Sequence, residues 1–374
     1  MYGIFRGLFL VGLVLLLVWM VWHVNREMGA SPSTDILASY SPLPYFDERR
    51  AIFKGMDVMT DHSHHVARTT SDQHTQKFGF GKMFRMLFFS PNAPKTSYNV
   101  KQLTRTSFID SQQHAVYWLG HSSAIIELAG KRLAVDPVLG DASPIPGMVR
   151  RYHAAPIRRT ELPRLDYVLI THNHYDHLER STVLAIDRAV FIVPMGVGAA
   201  LQGWGIDRSR IVELAWQQSY ADAWVSITAE EAQHFSGRRL GDRNRTAWNS
   251  YIIEADDKRI FWGCDGGYGA HFKRIGEYYG PFDWAALEID AWNDNWSHIH
   301  MRPEEVVMAC SDLRVNAIMP IHWGVFDLAW HPFTESIERL IAVAQSHEVT
   351  VFAPMMGERW LPSQQPLLSE YWWR

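Results

Sequence analysis

The first strong pattern in the chain is an uninterrupted apolar run near its amino terminus. Residues 7–24 (GLFLVGLVLLLVWMVWHV) carry no Asp, Glu, Lys or Arg. As a helix they would rise about 27 Å, close to the roughly 30 Å hydrocarbon core of a bilayer. Trp19, Trp22 and His23 lie near one end, where aromatic rings favour the membrane interface. The run predicts a transmembrane helix within an anchor over residues 1–30.

A cleaved signal peptide is the alternative interpretation of this run. The apolar region of a signal peptide usually spans about 7–15 residues, and Met28-Gly29-Ala30 is a poor cleavage site. We therefore expect an uncleaved, single-pass anchor in a bacterial inner membrane. Positive charge before the span, at Arg6 and the free amine, favours a cytoplasmic amino terminus and a periplasmic catalytic body.

Residues 31–90 predict a linker and an amino-terminal arm. Ser and Pro are frequent over residues 31–50 (SPSTDILASYSPLPYFDERR), which predicts a segment without helix or strand. Four histidines follow in the arm: His62, His64, His65 and His74. They could bind a metal, but no apolar strand fixes them, so a solvated arm is favoured. The hydrolase domain is predicted over residues 91–374.

From about residue 114, short apolar runs alternate with stretches of helical pattern, which indicates a layered α/β domain. The predicted strands cover residues 115–120, 123–128, 131–136, 165–170, 189–194, 210–214, 224–228, 250–255, 258–263, 284–289, 316–321 and 349–354. The predicted helices lie near residues 178–187, 196–203, 271–279, 303–313 and 334–346.

Composition narrows the classes of function. Hydrophobic residues make up 47% of the 374 residues and charged residues 20%, which excludes a disordered chain. The net charge of −4 argues against a general nucleic-acid binder. Two cysteines, Cys264 and Cys310, cannot form a thiolate zinc cluster. The 18 histidines are the unusual feature, and their spacing indicates whether they could bind a metal ion.

A dense group of ligand-type side chains follows the apolar run 165–170. The segment 171–177 reads THNHYDH, with three imidazoles and one carboxylate in six residues at a predicted strand end. His172 and His174 can point the same way from an extended loop, while Asp176 and His177 turn toward a second metal. Further candidates each follow an apolar segment: His234, Asp265 and His322. As a set they form two three-ligand sites joined by a carboxylate.

These motifs resemble the metallo-β-lactamase superfamily. The resemblance implies a four-layered αββα sandwich after the transmembrane helix, with two Zn²⁺ per chain. It implies one zinc site from His172, His174 and His234, a second from Asp176, His177 and His322, and a bridge at Asp265.

A closer resemblance is to the N-acyl-phosphatidylethanolamine-hydrolysing phospholipase D branch, over about residues 90–345. It is carried by the segments GHSSAIIE (120–127), AVDPVL (134–139), LDYVLITHNHYDHL (165–178), FWGCDGGYG (261–269), YGPFDWAALEI (279–289), HMRPEEVV (300–307) and IHWGVFDLA (321–329). The resemblance implies hydrolysis of the phospholipid to an N-acylethanolamine and phosphatidic acid. The branch's usual Asp-Thr-Gly is Asp265-Gly266-Gly267 here, which puts one hydrogen bond in doubt.

The expected mechanism is attack on phosphorus by a hydroxide that bridges the two zinc ions, whose charge lowers the pKa of bound water. Asp176 would orient this hydroxide as well as bind metal. His300 would contact the phosphate or donate a proton, with a helix cap as the alternative. Asp136 and His121 would hold ligand histidines in place, although His121 could equally be a core residue.

Substrate-binding residues stay open at this level. Two arginine clusters could bind phosphate or an anionic lipid surface, or form a solvated face: Arg150, Arg151, Arg158, Arg159 and Arg238, Arg239, Arg243, Arg245. Four tryptophans could line an acyl groove or pack in the core: Trp292, Trp296, Trp323 and Trp330. The expected partners are a phospholipid or another small molecule and the membrane, with no nucleic acid; a homodimer is left open.

Two other functions compete with the phospholipase D prediction. One is a tethered metallohydrolase of a soluble lactone, ester or phosphodiester. The other is a membrane scaffold without activity, which the complete ligand set argues against.

Overall fold

Two mixed sheets face each other in the computed structural model, which describes residues 2–55, 79–95, 98–108, 113–363 and 371–374. The strands of these residues are β1 (Phe46–Asp47), β2 (Ile52–Phe53), β3 (Ala115–Gly120), β4 (Ser123–Leu128), β5 (Lys131–Val135), β6 (Tyr167–Leu169), β7 (Val190–Pro194), β8 (Ile211–Leu214), β9 (Ser219–Ala221), β10 (Ser226–Glu230), β11 (Ser250–Ala255), β12 (Lys258–Trp262), β13 (Trp284–Glu288), β14 (Ala317–Ile321), β15 (Thr350–Val351) and β16 (Arg359–Trp360).

The α-helices of the described residues are α1 (Tyr2–Met28), α2 (Thr34–Ala38), α3 (Phe80–Phe89), α4 (Arg180–Ala185), α5 (Gly198–Gly203), α6 (His271–Tyr279), α7 (Pro303–Leu313) and α8 (Glu335–Gln345). The sequence pattern predicts α4 to α8 to within a few residues. It does not predict α2 or α3.

Each large sheet has seven strands. The first has the order β16-β3-β4-β5-β6-β7-β8, and the second has the order β15-β14-β13-β12-β11-β10-β9. In both sheets the central strands run parallel to one neighbour and antiparallel to the other, at β5 between β4 and β6 and at β12 between β11 and β13.

Side-chain alternation along β3 shows how the layers are built. Val116 and Trp118 belong to the core between the sheets, whereas Tyr117 and Leu119 belong to the core under α4 and α5. Successive side chains of a strand point to opposite faces, so a strand covered on both sides is apolar throughout. Helices α7 and α8 cover the second sheet at β13 and β15. The predicted αββα sandwich is therefore confirmed.

The expectation that residues 31–50 form neither helix nor strand is wrong. This segment contains α2 and β1, and β1 pairs with β2. The reason is apolar burial: Phe53 is fully buried, and Tyr45 stacks on Trp216 with ring centroids 3.9 Å apart. The predicted arm histidines (His62, His64, His65, His74) lie outside the described residues, and the domain boundaries stay a prediction.

Helix α1 is the candidate membrane span. Within the described residues it is the one helix long and apolar enough to cross a bilayer, with 21 residues (Leu8–Met28) at a mean hydropathy of 2.2 and none of this stretch buried in the protein. Its apolar side chains point outward on all sides, as expected of a helix surrounded by lipid.

Candidate metal centre

The sequence-predicted ligands meet at one end of the sandwich, where several strands finish. The 171–177 loop follows β6, His234 follows β10, Asp265 follows β12 and His322 follows β14. The carboxyl ends of parallel strands lie at one edge of a sheet, so loops distant in sequence converge there. This is why ligands spread over 150 residues can form one site.

The first ligand group contains His172, His174 and His234. The His172 Nε2 lies 2.8 Å from the His174 Nδ1, and the His234 Nε2 lies 3.4 Å from the same nitrogen. Burial lowers the pKa of all three imidazoles, that of His174 to about 4. At neutral pH they are uncharged, which is the state that binds a metal ion.

The second ligand group contains Asp176, His177, His322 and Asp265. The Asp265 Oδ2 lies 2.9 Å from the His177 Nε2 and 2.8 Å from the His322 Nε2, while the Asp176 Oδ2 lies 3.5 Å from each. The same Asp265 oxygen lies 3.9 Å from the His172 Nε2 of the first group. Asp265 therefore stands between the two groups, where a bridging carboxylate would be needed.

Electrostatics show that the second group attracts positive charge. Burial alone would lower the pKa values of His177 and His322, but Asp265 raises both, that of His322 to about 10. Burial would likewise raise the pKa of Asp265, yet the two imidazoles hold it well below its usual range. The buried carboxylates thus favour a cation between them.

Unpaired atoms in the same place fit a metal ion. The Asp265 Oδ1 is buried without a hydrogen-bond partner among the described residues, and the His177 Nε2 and His322 Nε2, although close to the Asp265 Oδ2, make no well-aligned hydrogen bond there. Buried polar atoms normally have a partner. Nitrogen and oxygen donors in this arrangement suit zinc and related divalent metals. The donor set therefore fits metal binding, in overlapping groups of three or four side chains.

Contacts behind the ligands fix which nitrogen faces the centre. The Asp136 carboxylate accepts from the His177 Nδ1 at 2.8 Å and from the Thr171 hydroxyl at 2.6 Å. The Thr171 oxygen in turn lies 3.0 Å from the His172 Nδ1 and accepts from it. Both histidines therefore keep Nε2 free for metal, as such outer contacts commonly ensure.

Three residues around the centre adopt left-handed backbone conformations. The φ angles are 54° at His121, 41° at Asp136 and 65° at His322. This region is unfavourable for residues other than glycine and clusters at functional sites. The His121 Nε2 lies 3.0 Å from the Asp176 Oδ2, so His121 orients a ligand carboxylate.

His300 lies beside the centre and is held by a residue that the sequence interpretation missed. Its ring centroid lies 5.0 Å from that of His322 and 5.4 Å from that of His234. Its Nδ1 donates to the Glu288 Oε2 at 2.7 Å, and Glu288 is fully buried at the end of β13. A single carboxylate in the apolar run 284–289 was the available signal. Thr171, which opens the motif, was missed in the same way.

The end of α1 is joined directly to the metal loop. The buried guanidinium of Arg238 donates to the carbonyls of Glu27 (2.9 Å) and Met28 (3.2 Å) on one side. On the other side it donates to the carbonyls of Asn173 (2.8 Å), His174 (3.3 Å) and Leu178 (2.8 Å). Arg238 thereby pairs helix-end carbonyls that have no partner within the helix.

Two neighbours complete this connection. The Trp204 Nε1 donates to the Arg26 carbonyl at 3.0 Å, and Arg239 donates to the Gly29 carbonyl. Positive charge at a helix carboxyl end is also favourable for the helix dipole. We call Trp204, Arg238 and Arg239, with the carbonyls of residues 26–29, the anchor joint.

The other arginines and the tryptophans divide between structural and open roles. In the first cluster, Arg151 donates to the Leu119 and Val138 carbonyls, and Arg159 pairs with Glu179. Trp292 and Trp323 are buried in the protein, whereas Trp296 and Trp330 are half-buried and meet edge to face at 5.5 Å.

Comparisons with known proteins agree with this geometry. The sequence profile of the Beta-lactamase superfamily domain matches residues 131–323. An uncharacterized protein of Mycobacterium tuberculosis is 43% identical over 273 residues, covering 71% of this chain and 73% of that protein. The N-acyl-phosphatidylethanolamine-hydrolyzing phospholipase D 1 of Caenorhabditis elegans is 30% identical over 288 residues, covering 71% of this chain and 81% of that protein.

A solved structure shares the fold. It is an isothiocyanate hydrolase from Delia radicum gut bacteria, with a TM-score of 0.55 and 20% identity over 66% of this chain and 98% of that one.

Proposed function

From the premise that the chain belongs to the beta-lactamase superfamily and is a metal-dependent hydrolase, we propose that it is a membrane-anchored phosphodiesterase of phospholipase D type. Its substrate would be N-acyl-phosphatidylethanolamine, and its products an N-acylethanolamine and phosphatidic acid. The metals would be two Zn²⁺ ions at the two ligand groups.

The observation that carries the proposal is the anchor joint. Because Arg238 binds both the end of α1 and the metal loop, a bilayer around α1 would lie beside the reacting groups. A phospholipid in that bilayer could reach the centre without leaving the surface entirely. The similarity to the Caenorhabditis elegans enzyme supports the same substrate class.

Exposed aromatic side chains on α3 support a substrate with acyl chains. Helix α3 exposes Phe84 and Phe89 and places the Lys82 ammonium over the Trp330 ring at 4.7 Å. Trp330 contacts Trp296, whose carbonyl accepts from the Ile299 backbone at 2.9 Å. The Ile299 carbonyl in turn accepts from the His234 Nδ1 at 3.3 Å. Ring contacts and backbone hydrogen bonds thus connect the exposed aromatic side chains of α3 to a predicted ligand histidine.

The residues of the centre would divide the chemistry among them. Two bound metal ions supply a water of lowered pKa and offset charge on the phosphoryl oxygens. Asp136 and Thr171 hold the imidazoles of His177 and His172 so that Nε2 faces the metals. Glu288 holds His300 through Nδ1, and the Nε2 has no hydrogen-bond partner among the described residues, so it could accept a hydrogen bond from the substrate or, in the imidazolium form, donate one.

The direct test is hydrolysis of N-acyl-phosphatidylethanolamine in detergent micelles by the purified, zinc-loaded full chain. Mass spectrometry should detect equal release of N-acylethanolamine and phosphatidic acid, with the His174→Ala variant as the blank. Product release that does not depend on zinc, or no release from a protein that holds two zinc ions, would contradict this substrate assignment. The alternative of a soluble lactone, ester or phosphodiester would then be tested.

Replacing Glu288 tests the role of His300. Glu288→Gln keeps the shape of the side chain but removes the charge that orients the His300 ring, so we expect kcat to fall about 10–100-fold with a smaller change in KM. Steady-state kinetics on the lipid substrate measure kcat and KM separately. Glu254→Gln, which only changes the pair with Arg259 away from the centre, is the control. An unchanged kcat in Glu288→Gln would remove His300 from the mechanism.

A further inference from the structure

The loop of residues 238–246 carries features that the metal centre does not use. It reads RRLGDRNRT, with four arginines in nine residues. Arg238 and Arg239 bind the end of α1, whereas the side chains of Arg243 and Arg245 make no hydrogen bond or ion pair with the anchor or the predicted metal ligands among the described residues. Leu240, at the tip of the loop, is completely exposed. An apolar tip flanked by cations is typical of contact with a charged lipid surface.

A recess lies between this loop and the end of the anchor. It is mostly open to solvent, with only about 10 Å³ in which the centre of a water molecule can move, and its wall includes Met28 at the end of α1, Pro32 just after it and Asn173 of the metal loop. Among the described residues that line it, three are arginines and one is an acid, Asp242. Three positive charges less one negative charge leave a surplus of two.

The carboxylates near the recess are already paired. Asp242 accepts from the backbone amides of Arg238 and Arg239. Glu27, at the end of α1, pairs with Arg26 at 3.3 Å and Arg180 at 3.7 Å. Glu213, whose Oε1 accepts from the Gly196 amide of the recess wall at 2.8 Å, adds one negative charge behind the wall, so a net positive charge remains.

Two donors in the recess wall are unsatisfied. The Thr246 hydroxyl is buried without a partner among the described residues, and Thr246 is 5% exposed. The Arg245 Nε is also buried without a partner in that part of the chain. Buried donors that lack a partner are rare and call for a ligand or water. A guanidinium beside a hydroxyl matches the oxygens of a phosphate group.

We propose that Arg239, Arg245 and Thr246 form a binding site for the phosphate of an anionic phospholipid at the bilayer surface, separate from the metal centre. The guanidinium and hydroxyl donors of the recess are the basis for proposing a phosphate ligand. The choice of a lipid rests on the proposed bilayer location of α1, since the recess opens where that helix ends. A bound lipid there would brace the anchor against the body.

Native mass spectrometry of the full chain in neutral detergent tests the site. The protein is titrated with dihexanoyl phosphatidylglycerol and, separately, with dihexanoyl phosphatidylcholine. Inorganic phosphate is then added as a competitor. We expect phosphatidylglycerol to bind at least about tenfold more tightly to the native chain than to Arg245→Gln, as for a lost charge-assisted hydrogen bond. Thr246→Val should also weaken the binding of phosphatidylglycerol relative to the native chain. Arg188→Gln, an exposed arginine paired with Asp187, is the control for net charge.

The outcomes separate this site from the proposed activity. Adduct masses distinguish intact lipid from hydrolysed product, and the His174→Ala variant should bind phosphatidylglycerol as the native chain does, whatever its activity. Equal binding by Arg245→Gln and Arg188→Gln, or equal affinity for the two lipids, would overturn the site. Competition by inorganic phosphate at the same concentrations, with the same dependence on Arg245, would assign free phosphate and overturn the lipid.

Discussion

Replacing His174 with alanine is expected to lower kcat/KM at least about 10³-fold and to remove metal from the first ligand group. The His174 Nδ1 lies within 3.4 Å of the donor nitrogens of both His172 and His234, so its loss leaves only two ligands there. Metal-ion catalysis supplies several kcal/mol of transition-state stabilisation, and each 1.36 kcal/mol is a factor of ten in rate.

Metal content by mass spectrometry and turnover are measured on the same preparation of this variant. His347→Ala is the matched control, because His347 is exposed just after α8 and its imidazole bonds only to Ser346 and Val343 among the described residues. Full turnover by His174→Ala, or full metal content without turnover, would contradict the assignment of His174 as a ligand.

Replacing Arg238 with methionine is expected to destabilise the body by about 3–5 kcal/mol and to weaken metal binding. The guanidinium pairs five carbonyl oxygens, and each buried acceptor left without a donor costs about 1–3 kcal/mol before relaxation. The carbonyls of Asn173 and His174 belong to the metal loop, so the loop loses part of its support. Urea unfolding in detergent and zinc titration measure the two effects.

Two further variants sharpen this result. Arg238→Lys keeps a charge but cannot present a planar fork to carbonyls on both sides, so it should recover only part of the stability. Arg243→Met is the control, since the Arg243 guanidinium is exposed and only stacks on Phe235 at 4.0 Å. Loss of stability in Arg238→Met with unchanged zinc affinity would separate Arg238 from the metal loop.

The sequence predicts the sandwich well because its strands are covered on both faces. Runs such as 115–120 and 189–194 are apolar throughout and end where β3 and β7 end. The apolar pattern does not predict the short edge strands β9 and β16. Strand β9 is largely exposed, and β16 pairs with β3 from a distant part of the chain. The packing of residues 31–55 also escapes it, because their aromatic side chains are buried by residues remote in sequence.

The ligand set is readable in the sequence because it consists of ligand-type residues at strand ends. What holds those ligands is less visible. Glu288 acts through His300, and Thr171 acts through Asp136 and His172; only the folded chain brings these partners together. The left-handed backbone at His121 and His322 has no signal in the residue types, since glycine is the residue that usually marks it. The sequence does not distinguish Arg238 from the other seven arginines of the two clusters.

The anchor joint would also determine whether turnover depends on the concentration of dissolved substrate or on the concentration of substrate in the membrane surface. A body on a long, free tether could sample molecules dissolved in the surrounding water. Here the last turn of α1 and the metal loop share one arginine, so a bilayer-embedded anchor would keep the centre at the lipid surface. Turnover would then follow the mole fraction of substrate in the surface. Inert lipid would slow the reaction by surface dilution, even at constant total substrate.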